Sequence, residues 1–133
     1  MGRNLFVYGT LMSSARHPMG QRLLRESRLI GLGVIEGQLF DLGDYPGLIE
    51  GGPGGGLVHG EVHELIQPAA TLAWLDAYED IVPGCKSASE YERVERRIQL
   101  AAGGEVTAWV YIYRASVAGA RLIESGRWRD IGR

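Results

Sequence analysis

The side chain most out of place in this chain is Glu79. In the stretch Leu72–Asp80 (LAWLDAYED), a step of about 100° per residue from Leu72 puts Leu75 near about 300°, Tyr78 near about 240° and Trp74 near about 200°, an apolar stripe. Glu79 comes at about 340°, between Leu72 and Leu75, while Asp76 at about 40° and Asp80 at about 80° drift toward the polar side. If the helix holds to residue 79, this carboxylate points at the core or at a pocket in it. Burying an unpaired carboxylate is costly, so such a group is paired, neutralised or kept for proton transfer. Capping a neighbouring backbone or pairing with an arginine is the plain alternative.

Other residues with chemical potential are weaker signals. Backbone N–H groups around Gly9-Thr10-Leu11 can converge on a carboxylate or a developing oxyanion, although such a strand-end turn is more often structural. His59, Glu61 and His63 alternate onto one face of a strand and resemble metal ligands. Same-face neighbours on a strand stand about 6–7 Å apart, so the outer two are roughly 13 Å apart and the three do not converge on one ion. A solvent-facing or internally paired polar face is expected, and no metal. Tyr91 and Tyr113 read equally as cavity-lining or core aromatics. Cys85, the single cysteine, has no histidine beside it in sequence and is not expected to be a nucleophile.

The elements that must hold these residues follow from patterning. The chain has 133 residues, 45% of them apolar, which is one domain (1–133) with a genuine core. Leu5–Tyr8 is a short buried strand ending in a turn, and Gly20–Ser27 is a short helix. Arg28–Leu42, broken by Gly31, Gly33 and Gly37, is one bent strand or two. Asp44–Gly47 is turn chemistry, and Gly51–Gly56 is a glycine-rich loop. Leu57–Ile66 is a strand, followed by a helix opened by Pro68. Glu92–Leu100 and Val106–Tyr113 form a hairpin across Gly103-Gly104, and the second is apolar on both faces. Few periodic cues follow Ala115 apart from Trp128. Together these predict an α+β fold, a small mixed β-barrel of five to seven strands with two or three short peripheral helices, closed because strands this apolar leave no edge bare.

Composition excludes several function classes. A formal net charge of −2, with Glu90, Glu92 and Glu95 interleaved among Arg93, Arg96 and Arg97, argues against nucleic-acid binding. No apolar run approaches a membrane span or a signal peptide. One cysteine forms no internal disulfide and suits the cytoplasm. Monomer and homodimer both stay open.

Six segments in order carry a resemblance: Phe6–Leu11 (FVYGTL), Tyr45–Leu48 (YPGL), Val58–Leu65 (VHGEVHEL), Leu75–Glu79 (LDAYE), Tyr91–Val94 (YERV) and Val110–Arg114 (VYIYR). The chain resembles the γ-glutamyl cyclotransferase-like family over roughly residues 4 to 114, nearest to its γ-glutamylamine cyclotransferase branch. The resemblance implies a mixed β-barrel with a cavity at one end and a cofactor-independent enzyme. It implies that Glu79 is the acid and base, and that Tyr8, Gly9, Thr10 and Leu11 cradle the substrate, with Tyr45, Tyr91 and Tyr113 nearby. Members of the classical glutathione-pathway branch often carry glycine after the glutamate, whereas Asp80 follows here. That departure turns the expected substrate away from classical γ-glutamyl amino acids.

The implied reaction is intramolecular aminolysis: the α-amine of a γ-glutamyl group attacks its own γ-carbonyl, closing 5-oxoproline and expelling an amine. One carboxylate between the two nitrogens can take the first proton and return it to the second, a step worth about 10²–10⁴-fold. Burial and the neighbouring Asp80 would both raise the pKa of Glu79 toward neutrality. Two other functions fit the same barrel: a non-catalytic module binding a small carboxylate, and a γ-glutamyl amide hydrolase.

Overall fold

The computed structural model describes residues 2–9, 12, 18–43, 46–50, 56–78 and 91–128, without the side chain of residue 78. Five strands close a barrel in the order β1 (Asn4–Val7), β5 (Leu57–Leu65), β2 (Ser27–Glu36), β6 (Tyr91–Leu100) and β7 (Glu105–Tyr113). All neighbours are antiparallel except β1 and β7, which meet in parallel at Leu5 and Trp109. The barrel is therefore mixed, as the patterning predicts. A second sheet, ordered β4 (Pro46–Ile49), β3 (Gln38–Asp41) and β8 (Arg121–Ile123), stands beside it.

Alternation along the strands sorts apolar residues into two clusters. Phe6, Tyr8, Ile35, Val58, Val62, Ile98, Ala108, Val110 and Ile112 fill the barrel, where Leu39, Leu48 and Ile123 of the small sheet join them. The opposite face of the wall carries Leu5, Val7, Leu65, Tyr91, Tyr111 and Tyr113, which pack with Leu23 of α1 (Pro18–Glu26) and with Leu72 and Leu75 of α2 (Pro68–Tyr78). This explains the two apolar faces of β7: one is core, and the other is roofed by helices. Full burial of Leu75 (0% exposed) agrees with the wheel that placed it on the apolar stripe.

The long segment expected as one bent strand or two is two, separated at Gly37, whose φ of 159° is extended. A side chain at Gly37 would stand 2.7 Å from the Ile49 carbonyl oxygen, so the break is set by close packing against β4. The region after Ala115 contains β8, a strand too short to show a period. It is held by pairing with β3, Leu39 opposite Ile123 and Asp41 opposite Arg121.

Candidate functional site

The turn after β1 is pinned from two directions. Met12 N donates to Gly9 O at 3.0 Å, closing the backbone from Gly9 to Met12. A Cβ built on Gly9 would lie 2.6 Å from Pro46 Cγ, so glycine is required for the turn to rest on the start of β4. Tyr91 Oη donates to the Pro46 carbonyl at 2.7 Å. Gly47 packs on Tyr113, where a Cβ would meet the ring's Cγ at 3.0 Å, and the Tyr91 and Tyr113 rings meet edge to face at 5.2 Å. Gly9, Tyr91 and Tyr113, distant in sequence, thus converge on Pro46-Gly47. Both tyrosines are almost wholly buried, at 6% and 7% exposure. Tyr8 faces the other way, into the barrel, and its hydroxyl donates to the Tyr111 carbonyl at 2.6 Å. Thr10, Leu11, Tyr45, Glu79, Asp80 and Cys85 lie outside the described residues.

The helix that leads to Glu79 is fixed along its length. At its first turns Thr71 Oγ1 and Trp74 Nε1 both donate to Glu26 Oε1 of α1, at 2.7 and 2.9 Å. The Trp74 and Thr71 bonds hold the Glu26 carboxyl below its ordinary pKa, with Arg22 adding to the effect. Arg22 also stacks over the Trp74 ring at 4.3 Å. Further along, Asp76 receives a two-pronged bond from Arg93, Nε at 2.7 Å and Nη2 at 3.0 Å, and a third from Tyr111 Oη at 2.7 Å. The wheel puts Asp76 toward the polar side, at about 40°. It lies beside the apolar stripe rather than opposite it, close enough for an arginine on the barrel wall to reach it. That anchor sits two residues before the last residue of α2.

The polar face of β5 is paired internally and buried. Glu61 and His63 are 4% and 0% exposed, with His63 Nε2 3.1 Å from Glu61 Oε1. Ser27 Oγ donates to Leu23 O at 2.6 Å, so its 3.1 Å contact with His63 Nδ1 uses the ring N–H as donor. Alternation revealed that these residues share a face, but not that the face would be buried.

Among the described residues, hollows open on the wall. A groove of about 740 Å³, where β2 and β6 diverge, is lined by Glu36, Glu50, Arg96, Arg97, Gln99 and Glu105 among others. Its charges are largely matched: Arg96 pairs with Glu50, lowering that carboxyl's pKa, and Arg97 lies 4.0 Å from Glu105. A smaller hollow of about 270 Å³ adjoins Met12, at the end of the turn, and includes Arg127 and Trp128. The sequence reading missed Arg127, one of several arginines in a tail where only Trp128 stood out.

The family model described as gamma-glutamyl cyclotransferase, AIG2-like, matches residues 5–130. The chain belongs to this family. Escherichia coli K12 has a gamma-glutamylcyclotransferase family protein, YtfP, that is 41% identical over 128 residues, covering 95% of this chain and 96% of that protein. A putative gamma-glutamylcyclotransferase of Vibrio cholerae is 39% identical over 127 residues and 93% of each chain. The solution structure of the E. coli ytfP protein superposes with a TM-score of 0.65 at 39% identity, over 98% of this chain and 99% of that one. A mouse AIG2-like protein gives a TM-score of 0.66 at 27% identity over 86% of this chain and 78% of that one. The gamma-glutamyl cyclotransferase match extends past residue 114, so the region around β8 and the hollow belongs to the family domain as well.

Proposed function

We propose that the protein is a cofactor-independent cyclotransferase that converts a γ-glutamyl amine or a related γ-glutamyl compound to 5-oxoproline and free amine. The observation that carries this reading is the glycine turn, pinned on Pro46-Gly47 in a chain of the gamma-glutamyl cyclotransferase, AIG2-like family. Fixing the glutamyl chain folded back on itself supplies the entropic part of the rate. Backbone N–H groups of the turn would hold its carboxylate or the developing oxyanion. Glu79 takes a proton from the α-ammonium as its nitrogen attacks the γ-carbonyl. The new carbon–nitrogen bond closes the ring, the old amide bond breaks, and Glu79 returns the proton to the departing nitrogen.

Replacing Glu79 by glutamine keeps the size and hydrogen-bonding capacity of the side chain but removes the base. Glu79→Gln is expected to fold as the wild type by circular dichroism and to lose at least about 10²-fold in 5-oxoproline release from a panel of γ-glutamyl amines. Full activity in this variant would overturn the mechanism. Free glutamate in place of 5-oxoproline, identified by mass, would assign a hydrolase instead.

A further inference from the structure

Several arginines of the described structure face acids: Arg22 with Glu26, Arg28 with Glu64, Arg93 with Asp76, Arg96 with Glu50, Arg114 with Glu92. Arg127 differs. It is half-buried in the wall of the 270 Å³ hollow, and among the described residues it has no ion-pair partner. Around it stand Met12, Leu32, Val34, His59 and Trp128. A cation with no ion-pair partner among the described residues, in an otherwise mainly apolar hollow, is the signature of a site for an anion with a carbon body.

The C-terminal segment builds this site deliberately. Strand β1 pairs with β5 only as far as Val7 and Glu61. Beyond that point the β5 edge is taken by the tail: His59 N donates to Gly126 O at 2.8 Å. Gly126 lies so close to β5 that a Cβ there would stand 3.3 Å from Val58 Cα, and its φ of +69° favours glycine as well. Arg127 N donates to Ser125 Oγ at 3.2 Å, and Trp128 packs against the barrel cluster. Arg127 is therefore presented from a fixed backbone between a packed tryptophan and a strand.

We propose that this hollow binds a small aliphatic or aromatic carboxylate, with the carboxylate on Arg127 and the carbon body against Met12, Leu32, Val34 and Trp128. The volume sits just under the usual range for ligand pockets, about 300–1,000 Å³, and suits a molecule of amino-acid size. Met12 belongs both to the hollow and to the closed turn. The carboxylate thus has two possible sources: a free organic acid, or the leaving group of a γ-glutamyl compound held at the turn. The second source rests on the cyclotransferase reading.

The binding arm of the test uses the full chain, labelled with nitrogen-15 and titrated with hexanoate and, in parallel, hexanamide, following the Trp128 indole N–H. Hexanoate should give saturable shifts, with hexanamide and the Arg127→Gln variant each weaker by about tenfold, and Arg127→Lys intermediate. Equal binding of the two probes, equal hexanoate binding by wild type and Arg127→Gln, or no hexanoate shift overturns the site. The second arm compares γ-glutamyl-leucine with γ-glutamyl-3-methylbutylamine, which differ only in the leaving group's carboxylate. A selective loss in kcat/KM for the leucine compound in Arg127→Gln assigns the hollow to the leaving group. Unchanged kinetics with hexanoate binding intact assign it to a free acid. If neither compound yields 5-oxoproline, the leaving-group assignment fails, the panel of γ-glutamyl amines decides the cyclotransferase reading, and the hexanoate titration still decides the hollow.

Discussion

Tyr91 and Tyr113 illustrate how one residue type can be read as substrate contact or as scaffold. The Tyr91 hydroxyl is used at 2.7 Å on the Pro46 carbonyl, in a site almost closed to solvent. Its effect on chemistry then passes through Pro46, against which Gly9 rests. Removing the hydroxyl leaves a buried carbonyl without that donor, a loss of about 1–3 kcal/mol. Tyr91→Phe is accordingly expected to lower the unfolding free energy from urea denaturation by that amount at neutral pH, and to impair turnover as the turn loses its support. A variant of wild-type stability with weakened substrate binding would instead make Tyr91 a direct contact. Gly9 was legible at this scale because glycine at a strand end announces a close approach. Arg127 was not, since nothing in its sequence neighbours marks a half-buried cation with no ion-pair partner among the described residues.

The helices are positioned by polar bonds as much as by their apolar faces. Glu26 closes α1 and receives Trp74 and Thr71 from α2, which tie the two helices together. These donors hold its folded-state pKa below the ordinary value, so its stabilising contribution is present above the unfolded pKa and is lost as pH falls through the folded one. Glu26→Gln should therefore be less stable than wild type at neutral pH, and the difference should shrink as pH falls through the folded-state pKa of Glu26. Chemical denaturation at a series of pH values checks the sign; a gap that widens on acidification would refute the assignment. The same elements show what a pattern can reveal. Strands β5, β6 and β7 were legible because alternation or two-sided apolarity runs for nine or ten residues. Strand β8 has three residues, two of them exposed, and exists through its pairing with β3. The wheel located the buried side of α2 correctly, but it did not show that Arg93 would claim Asp76, because that partner comes from another element. Glu61 and His63 were hidden for the same reason: α1 supplies the Leu23 carbonyl that orients Ser27 and, through it, His63.

Closure of the barrel depends on two short seams. Strand β2 meets β6 in register only at Gly33–Leu100 and Val34–Gln99, and β1 meets β7 at Leu5–Trp109. By contrast β2–β5 and β6–β7 pair over almost their whole lengths. The barrel is thus a three-stranded unit and a hairpin, joined edge to edge. Across the β1–β7 seam, side chains supply bonds that the backbone ladder does not: Asn4 Nδ2 to Thr107 O, Trp109 Nε1 to Gly2 O, and Tyr8 Oη to Tyr111 O. The first two are more exposed and the last is buried, so Tyr8 is the strongest of the three. It also stands immediately before Gly9, which makes the position of the turn depend on the integrity of this seam. Local opening follows the regions with fewest backbone bonds and least burial. Amides of the β6–β7 hairpin and of central β5 should therefore exchange slowest. Tyr8→Phe should cost about 1–3 kcal/mol and accelerate exchange selectively in β1 and along the β1-facing edge of β7, while the β2–β5 ladder changes only as global stability does. Native-state hydrogen exchange on the two proteins measures this directly. Uniform acceleration across both units would mean that the barrel opens as one body and that Tyr8 is an ordinary core residue.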